Sequence, residues 1–313
     1  MRVAVTGANA GIGLRAVARF ARAGHEVVAL CRDTVRGEAA LAELDAATRA
    51  RIQLVQLDLA SSTSIRSAAA AVVDGGALDA LINNAAVFDQ TIRTPRQTVD
   101  GHELFWATNH LGPTKFTARV SSALQKAPTP RIVFVASKGI VTAPRIAIRY
   151  DALDGAGWFT PTRAYYHSKL AQIMTAITLA ERVGDVVDVS CLRVPAVRLD
   201  ADRLATQPAL LRALYAPKNR MAMAPDALAA VYERLVGEAP RHARGVDVYV
   251  DENLAPVTPP RFARDAAQRE RLWALTNELV DAPTWAWSSL DAAQGAAPEG
   301  GAAELRDAER SSQ

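Results

Sequence analysis

Short apolar runs alternate with amphipathic helical patterns along most of the chain. The runs are rich in Val, Ile, Leu and Ala and are bounded by Gly, Pro, Asn or Asp, which is typical of strands buried on both faces. Seven of them predict strands at residues 3–5, 26–31, 52–57, 78–82, 132–136, 186–194 and 246–250. Because helical patterns separate the strands, we predict right-handed βαβ units and an α/β fold: one doubly wound parallel sheet with helices on both faces.

The helical patterns also predict where the chain bends and where it ends. Helices are expected to about residue 23, at about 35–48, 99–124 and 231–236, after Pro161, and at about 263–280. Within 99–124, Asn109, Gly112 and Pro113 each disfavour helix, so a kink is expected there. Residues 1–283 are predicted to form one domain. The tail, 284–313, is rich in Ala, Gly, Ser and acidic residues, and disorder is expected from about 292.

Composition excludes several classes of protein. Half of the 313 residues are hydrophobic, and the net charge of +3 is too even to indicate a nucleic-acid or membrane surface. No apolar run approaches the roughly 18 residues of a membrane span, and no secretion signal is recognisable. The cysteines, Cys31 and Cys191, lie in apolar runs, so no disulfide framework or metal site is predicted. A cytoplasmic location fits these features.

Three glycines follow the first predicted strand and open the first helix. Gly7, Gly11 and Gly13 have the spacing G-x-x-x-G-x-G. Glycine permits a tight turn and removes side chains where backbone approaches a pyrophosphate at a helix N-terminus. Such a loop alone is weak evidence, but its position between a strand and a helix favours a dinucleotide site.

The second strand ends in a pair of opposite charges, Arg32 and Asp33. In dinucleotide-binding sheets this position meets the adenosine ribose, where an acid can hold the hydroxyls of NAD and an arginine can pair with the phosphate of NADP. Before context is added, two charges that merely solvate a loop are an equally good interpretation.

Polar residues follow the next three strands as well. Asp58, Asn84 and Ser137 are each expected at the carboxyl edge of the sheet, where ligands of such sheets bind. Each would otherwise be an ordinary turn residue. No G-x-S-x-G elbow surrounds Ser137 and no histidine has the context of its base, so a hydrolase triad is not supported.

Tyr165 and Lys169 lie four residues apart in a helical pattern, which places them on one face of the helix. A positive charge near a phenol favours the phenolate, so Lys169 is expected to lower the pKa of Tyr165. An isolated Tyr-x-x-x-Lys is more often structural, and the interpretation as an acid/base pair depends on the motifs that accompany it.

Taken together, these motifs resemble the short-chain dehydrogenase/reductase family, with its Rossmann-type sheet, from residue 1 to about 280. The resemblance rests on T-G-x-x-x-G-I-G at 6–13, D-L at 58–59, N-N-A at 83–85, Asn109, Ser137 and Y-x-x-x-K at 165–169. The segments C-R-D at 31–33, T-N-H-L-G at 108–112 and Y-Y-H-S-K-L-A at 165–171 resemble the retinol-dehydrogenase-like and WW-domain-oxidoreductase-like branch.

The resemblance implies roles for four catalytic residues. Tyr165 would be the general acid in reduction and the base in oxidation, and Lys169 would lower its pKa and hold the nicotinamide ribose. Ser137 would bond the substrate carbonyl, and Asn109 would hold a water that relays protons to Lys169. The implied cofactor is NADP(H), because Arg32 comes first, with NAD(H) as the alternative. The implied cofactor-binding residues are Gly7, Asn9, Gly11, Ile12, Gly13, Arg32, Asp58, Leu59, Asn84, Ala85, Lys169 and Val197.

Two departures from the family pattern bear on function. Ala86 replaces the glycine of N-N-A-G, and Val194-Pro195-Ala196 replaces the usual Pro-Gly, with Leu199 where a threonine often binds the nicotinamide amide. The nicotinamide end of the site is therefore expected to be looser or differently aimed.

Three functions are compatible with these motifs. The first is an NADP(H)-dependent oxidoreductase that interconverts a ketone or aldehyde and an alcohol. The second is an isomerase, cyclase or dehydratase that retains the cofactor site. The third, a cofactor-sensing regulator, is disfavoured by the complete catalytic set. A lid at about 200–223 carries several leucines, which suggests a bulky apolar small-molecule substrate, although core packing explains such residues as often. The protein is expected to act as a homo-oligomer or a monomer.

Overall fold

The computed structural model describes residues 1–198, 222–238, 242–280 and 285–287. Its centre is one seven-stranded sheet in the order β3-β2-β1-β4-β5-β6-β7. Every neighbouring pair is parallel. The predicted fold class is thereby confirmed. The strands are β1 Arg2–Thr6, β2 Glu26–Cys31, β3 Ile52–Gln56, β4 Ala80–Asn83, β5 Arg131–Ser137, β6 Asp188–Val194 and β7 Tyr249–Val250.

Helices cover both faces of the sheet. Alternate residues of each central strand enter two separate hydrophobic clusters, as in β1, where Ala4 faces one cluster and Val3 and Val5 face the other. Helices α1 and α8 pack on the second face, and α4, α6, α7 and α9 pack on the first. The helices are α1 Gly11–Arg22, α2 Thr34–Leu41, α3 Ala46–Arg49, α4 Ser62–Asp74, α5 Leu104–Trp106, α6 Gly112–Gln125, α7 Pro161–Val183, α8 Pro225–Gly237 and α9 Ala266–Leu279.

The helix predicted at about 35–48 is two helices, α2 and α3. Asp45 ends the continuity because its carboxylate accepts hydrogen bonds from both the N–H and the hydroxyl of Thr48, at 2.9 and 2.7 Å. This is an N-cap, which satisfies the first N–H groups of a new helix. The apolar periodicity alone did not reveal it.

The helix predicted at 99–124 starts later than expected. Glu103 caps α5 by accepting bonds from the N–H groups of Phe105 and Trp106, at 3.1 and 2.9 Å. Between α5 and α6, residues Ala107–Leu111 form a π-helical turn. The expected distortion is therefore present, in the form of an extra residue in one turn of the helix.

The last predicted strand, 246–250, was too long. Residues Gly245–Val248 form a 3₁₀ turn, and only Tyr249–Val250 pairs with β6. Gly245 has a φ of +55°, outside the strand region. The edge strand is therefore only two residues long.

The proposed lid lies outside the described residues except for Ala222 and Met223, and so does the tail from 292. Two tryptophans assigned to the tail are described and buried: Trp285 is 1% exposed and Trp287 is 4% exposed. Trp285 stacks on Trp273 of α9, with ring centroids 5.5 Å apart. The N–H of Ala286 donates to the Ser121 hydroxyl over 2.8 Å. Packing on the core therefore continues beyond Pro283.

Candidate active site

The glycine loop joins β1 to α1 and brings two backbone segments unusually close. Gly7 and Gly11 have φ values of +69° and +56°, in the left-handed region that favours glycine. A Cβ on Gly13 would lie 2.2 Å from the carbonyl oxygen of Gly7. Helix α1 has no capping side chain, so its first N–H groups are not occupied in that way. This cradle fits the pyrophosphate of a dinucleotide. The other predicted loop residues, Asn9 and Ile12, are partly buried.

The loop after β4 is bonded directly to the end of β1. Asn84 Nδ2 donates to the carbonyl of Thr6 over 2.8 Å, and the N–H of Ala85 donates to the Thr6 hydroxyl over 2.9 Å. Asn84 and Ala85 thus lie beside the glycine loop, as the sequence predicted. Their contacts make them supports of the cradle.

At the end of β2, Arg32 is exposed and Asp33 is engaged. The Asp33 carboxylate caps α2 by accepting a bond from the N–H of Arg36 over 3.0 Å. Arg32 therefore presents a guanidinium at the edge where the sequence places the adenosine ribose, next to a carboxylate with a structural role.

Asp58 and Leu59 follow β3 at the same edge of the sheet. The Asp58 carboxylate accepts a bond from the N–H of Ala60 over 2.9 Å and so shapes the turn. A Cβ on Gly112 would lie 2.2 Å from the carbonyl oxygen of Leu59. Gly112 is thus required for the close approach of this turn to the start of α6.

Tyr165 lies on the second turn of α7 and reaches the end of β5. The Ser137 side chain is close enough to the Tyr165 phenol to lower its pKa. The ring of Phe88 packs on the phenol, with centroids 4.4 Å apart. Burial raises the pKa of Tyr165 to about 12 and is the largest effect, Ser137 lowers it, and Tyr166 raises it. The group is therefore a neutral phenol at pH 7.

We expected Lys169 to lower the pKa of Tyr165. This expectation is wrong for the net shift, because the pKa is raised. The Lys169 ammonium donates to the carbonyl of Val135 over 2.6 Å and to Gln172 Oε1 over 2.9 Å. It lies 5.9 Å from the centroid of the Tyr165 ring. Burial of the phenol is the largest cause of its raised pKa. Burial also lowers the pKa of Lys169 to about 8, while Cys191 raises it.

Asn109 lies in the π-helical turn and is fully buried. Its side chain accepts a bond from the N–H of Val87 over 2.7 Å and donates to the carbonyl of Val87 and to the Ser168 hydroxyl, each over 3.0 Å. Ser168 in turn donates to the carbonyl of Tyr165 over 2.8 Å. Asn109 therefore connects the loop after β4 to the helix that carries Tyr165. Its role in holding a water stays a prediction.

Two buried histidines, His110 and His167, are the sequence neighbours of Asn109 and Ser168. Burial lowers the pKa of His110 and of His167 to about 3, so both are neutral. His167 Nε2 accepts a bond from the N–H of Arg149, and His110 Nε2 lies 2.9 Å from the Thr276 hydroxyl. Both imidazoles are therefore uncharged and in contact with polar groups within the fold.

The segment after β6 pairs with residue 223, on the far side of the gap at 199–221 in the described residues. Val194 pairs with Ser137 at the end of β6. Val197 forms a parallel bridge with Met223, and the N–H of Arg198 donates to the carbonyl of Met223 over 2.9 Å. The turn that departs from the family pattern, at 195–196, is therefore held between two pairings. Leu199 lies outside the described residues.

Comparison with known proteins shows the family of the chain. The sequence profile of the short chain dehydrogenase family matches residues 1–152. Retinol dehydrogenase 12 of Bos taurus is 31% identical over 287 residues, covering 89% of this chain and 85% of that protein. Retinol dehydrogenase 13 of Homo sapiens is 30% identical over 295 residues, covering 89% and 84%. The chain belongs to the short-chain dehydrogenase/reductase family. It is an alcohol/carbonyl oxidoreductase of the retinol-dehydrogenase-like branch and uses NAD(P).

Solved structures share the fold of this dehydrogenase/reductase. An uncharacterized protein from Mycobacterium paratuberculosis has a TM-score of 0.65 at 25% identity, covering 91% of this chain and 95% of that chain. A short chain dehydrogenase from Shigella flexneri, complexed with NADP, has a TM-score of 0.60 at 22% identity, covering 80% and 96%. In the described part of this chain, no helix has the length and apolar character needed to cross a membrane.

Sequence reasoning missed three contributors to the site of this dehydrogenase/reductase: Thr6, Phe88 and Ser168. Ser168 precedes Lys169, and Thr6 opens the glycine motif, so both stand inside the quoted motifs and could have been examined. Phe88 had no such signal. It is 49% exposed in a loop, and nothing in the local sequence tells that its ring packs on Tyr165.

Proposed function

We propose that this protein is an NADP(H)-dependent oxidoreductase that interconverts a ketone or aldehyde and an alcohol, with Tyr165 as the general acid/base. The observation that carries the proposal is the closeness of Tyr165 and Ser137 at the carboxyl edge of the sheet, where Ser137 lowers the pKa of the phenol. A carbonyl oxygen placed between these groups would receive a hydrogen bond from each as negative charge gathers on it. NADP(H) would supply the hydride when bound.

The protonation state of Tyr165 supports its role as a proton donor in reduction. With a pKa raised to about 12 by burial, the phenol holds its proton at neutral pH. Lys169, with a pKa lowered to about 8 by burial, changes charge near pH 8. Lys169 would hold the nicotinamide ribose, and the chain Asn109–Ser168 would keep α7 in place for the transfer.

The preference for NADP(H) rests on the guanidinium of Arg32. A guanidinium can bind a phosphate through two parallel hydrogen bonds. The carboxylate of Asp33 accepts the N–H of Arg36 as a helix cap. Its capping role supports Arg32 as the residue that meets the 2′-phosphate.

A bulky apolar substrate is supported by the surroundings of Tyr165. Phe88 packs on its ring and is 49% exposed. The partly buried rings of Trp158 and Phe159 pack on the same small hydrophobic cluster as Tyr165. Side chains of this kind favour an apolar group beside the reacting carbonyl.

The test is turnover of NADPH or NADH with a panel of ketones and aldehydes, followed by absorbance and product mass. Tyr165→Phe should leave cofactor binding nearly intact and lower kcat by about 10²- to 10⁴-fold, because the phenolic proton is lost while the ring remains. Lys169→Ala should impair both. Tyr249→Phe is the matched control, since the buried hydroxyl of Tyr249 has no hydrogen-bond partner among the residues that the structure describes. Wild-type kcat in Tyr165→Phe would contradict the assignment.

A further inference from the structure

Tyr232 of α8 is fully buried, yet its hydroxyl lies at the cofactor side of the sheet. The hydroxyl donates to Asn84 Oδ1 over 2.9 Å. Asn84 Nδ2 then donates to the carbonyl of Thr6 over 2.8 Å. Two hydrogen bonds thus connect α8, through a single amide, to the last residue of β1, immediately before the glycine loop.

The two bonds allow the Asn84 amide only one orientation. Turning it over would place Oδ1 against the carbonyl of Thr6, and two acceptors would then face each other. The Tyr232 hydroxyl must be the donor, because the amide oxygen Oδ1 that it faces can only accept a hydrogen bond. Burial, and Tyr165 to a smaller extent, raises the pKa of Tyr232, so that its proton is retained.

The oriented amide lies against the glycine cradle. Asn84 Nδ2 is the atom that a Cβ on Gly13 would approach to 2.7 Å and a Cβ on Gly7 to 3.1 Å. A change in the angle of the amide would therefore change its packing against both glycines. No other hydrogen bond of the described residues connects α8 to the Asn84 side chain.

Helix α8 is itself held on α1, the helix that begins in the glycine loop. The Glu233 carboxylate accepts bonds from Arg19 Nη2 and Nε, at 2.6 and 3.0 Å. Tyr232 and Glu233 thus connect the same turn of α8 to Asn84 beside the glycine loop and to the third turn of α1. A buried tyrosine can also serve only to fill the core, and Tyr249 serves as that comparison, because its hydroxyl has no hydrogen-bond partner within the described ranges.

We propose that Tyr232 is a positioning residue for the cofactor, whose hydroxyl fixes the Asn84 amide and so keeps the Thr6–Gly7 end of the glycine loop where the pyrophosphate binds. The inference deepens the proposed function and rests on its dinucleotide site. The chain of bonds supports the pyrophosphate end of that site and contains no group directed at the 2′-phosphate. Tyr232 should therefore affect NADP⁺ and NAD⁺ alike.

The test is calorimetric titration of the full chain with NADP⁺ and, separately, NAD⁺. Tyr232→Phe should raise both Kd values by the same factor, about three- to tenfold, the usual effect of one hydrogen bond. Tyr249→Phe removes an unpartnered buried hydroxyl and should leave both Kd values unchanged. With saturating NADPH, kcat of Tyr232→Phe should remain within about twofold of the wild-type value. General loss of structure would lower kcat as well, so an effect on Kd alone indicates a role in cofactor binding.

A double-mutant cycle tests whether the effect passes through Asn84. In an Asn84→Ala background, Tyr232→Phe should raise neither Kd further, because the acceptor of its bond is gone. Unchanged Kd values in Tyr232→Phe, a rise confined to NADP⁺, or an equal rise in the Asn84→Ala background would each overturn the inference. If the wild-type protein bound neither dinucleotide, the proposed function would fail instead, so the two failures are distinguishable.

Discussion

Replacing Lys169 with Met should change how the stability of this dehydrogenase/reductase depends on pH. The Lys169 side chain is 1% exposed, and burial lowers its pKa from 10.5 to about 8. In the unfolded chain the group regains its ordinary pKa. Between these two values the unfolded state binds more protons than the folded state, so the free energy of unfolding must rise with pH. Well below the folded-state pKa of about 8, Lys169 is charged in both states, and burial of the charge lowers the free energy of unfolding by its full amount.

The size of this effect follows from the shift. The separation between 10.5 and about 8 corresponds to roughly 3 kcal/mol. Lys169→Met lacks the titration, so the wild type should gain roughly 3 kcal/mol of unfolding free energy relative to the variant between about pH 7 and pH 10.5. The bonds that the variant loses, to Val135 and Gln172, add an offset that is constant with pH. Burial raises the pKa of the neighbouring Cys191 thiol to about 12, above this window.

Urea denaturation of both proteins at five pH values across this range measures the difference. Lys126→Met, which removes an exposed ammonium at the end of α6, is the matched control and should give a nearly flat difference. A flat difference for Lys169→Met as well would refute the reasoning, because the folded-state pKa would then equal the unfolded one. A difference that falls with pH would show that the pKa of Lys169 is raised.

Three further predictions concern the ends of the site and of the chain. Arg32→Ala should raise the Kd of NADP⁺ about tenfold and leave that of NAD⁺ unchanged; tighter binding of NAD⁺ by the wild type would contradict the cofactor preference. Truncation after residue 291 should leave the melting temperature and kcat unchanged. Truncation after residue 283 also removes Trp285 and Trp287 and should lower the free energy of unfolding by about 3 kcal/mol or more. Equal stability of the two truncated proteins would contradict this prediction. The double variant Val194→Pro, Pro195→Gly should alter kcat by about tenfold or more. Binding at the adenosine end, measured as the Kd of 2′,5′-ADP, should not change. An unaltered kcat would show that the native turn already has the family geometry.

The sheet could be predicted from sequence because its strands are buried on both faces. Such strands need continuous apolar runs, and runs such as 26–31 and 132–136 leave little choice of partner or direction once helices separate them. Boundaries were less predictable because they depend on single hydrogen bonds. The Asp45 and Glu103 carboxylates each start a helix, and neither changes the apolar periodicity around it.

The candidate site could be predicted in part. Backbone requirements leave a signal in the sequence, and the positive φ of Gly7 and the close approach at Gly13 account for the glycine spacing. Side-chain direction leaves no comparable signal. The Lys169 ammonium bonds to the carbonyl of Val135, and the Tyr232 hydroxyl bonds to Asn84, over separations of 34 and 148 residues. Contacts of this range are decided by packing of the whole domain.

The π-helical turn at Ala107–Leu111 contains one residue more than an α-helix of the same rise would need. Deleting one residue there would restore regular helix and rotate everything before it by about 100° relative to α6. Asn109 would then turn away from Val87, and the loop that carries Phe88 would lose its attachment beside Tyr165. In an alignment such a deletion would look harmless, a single gap within a helix. In the protein it would detach the loop after β4 from the helix that carries Tyr165, so the candidate site depends on the length of this helix as well as on its side chains.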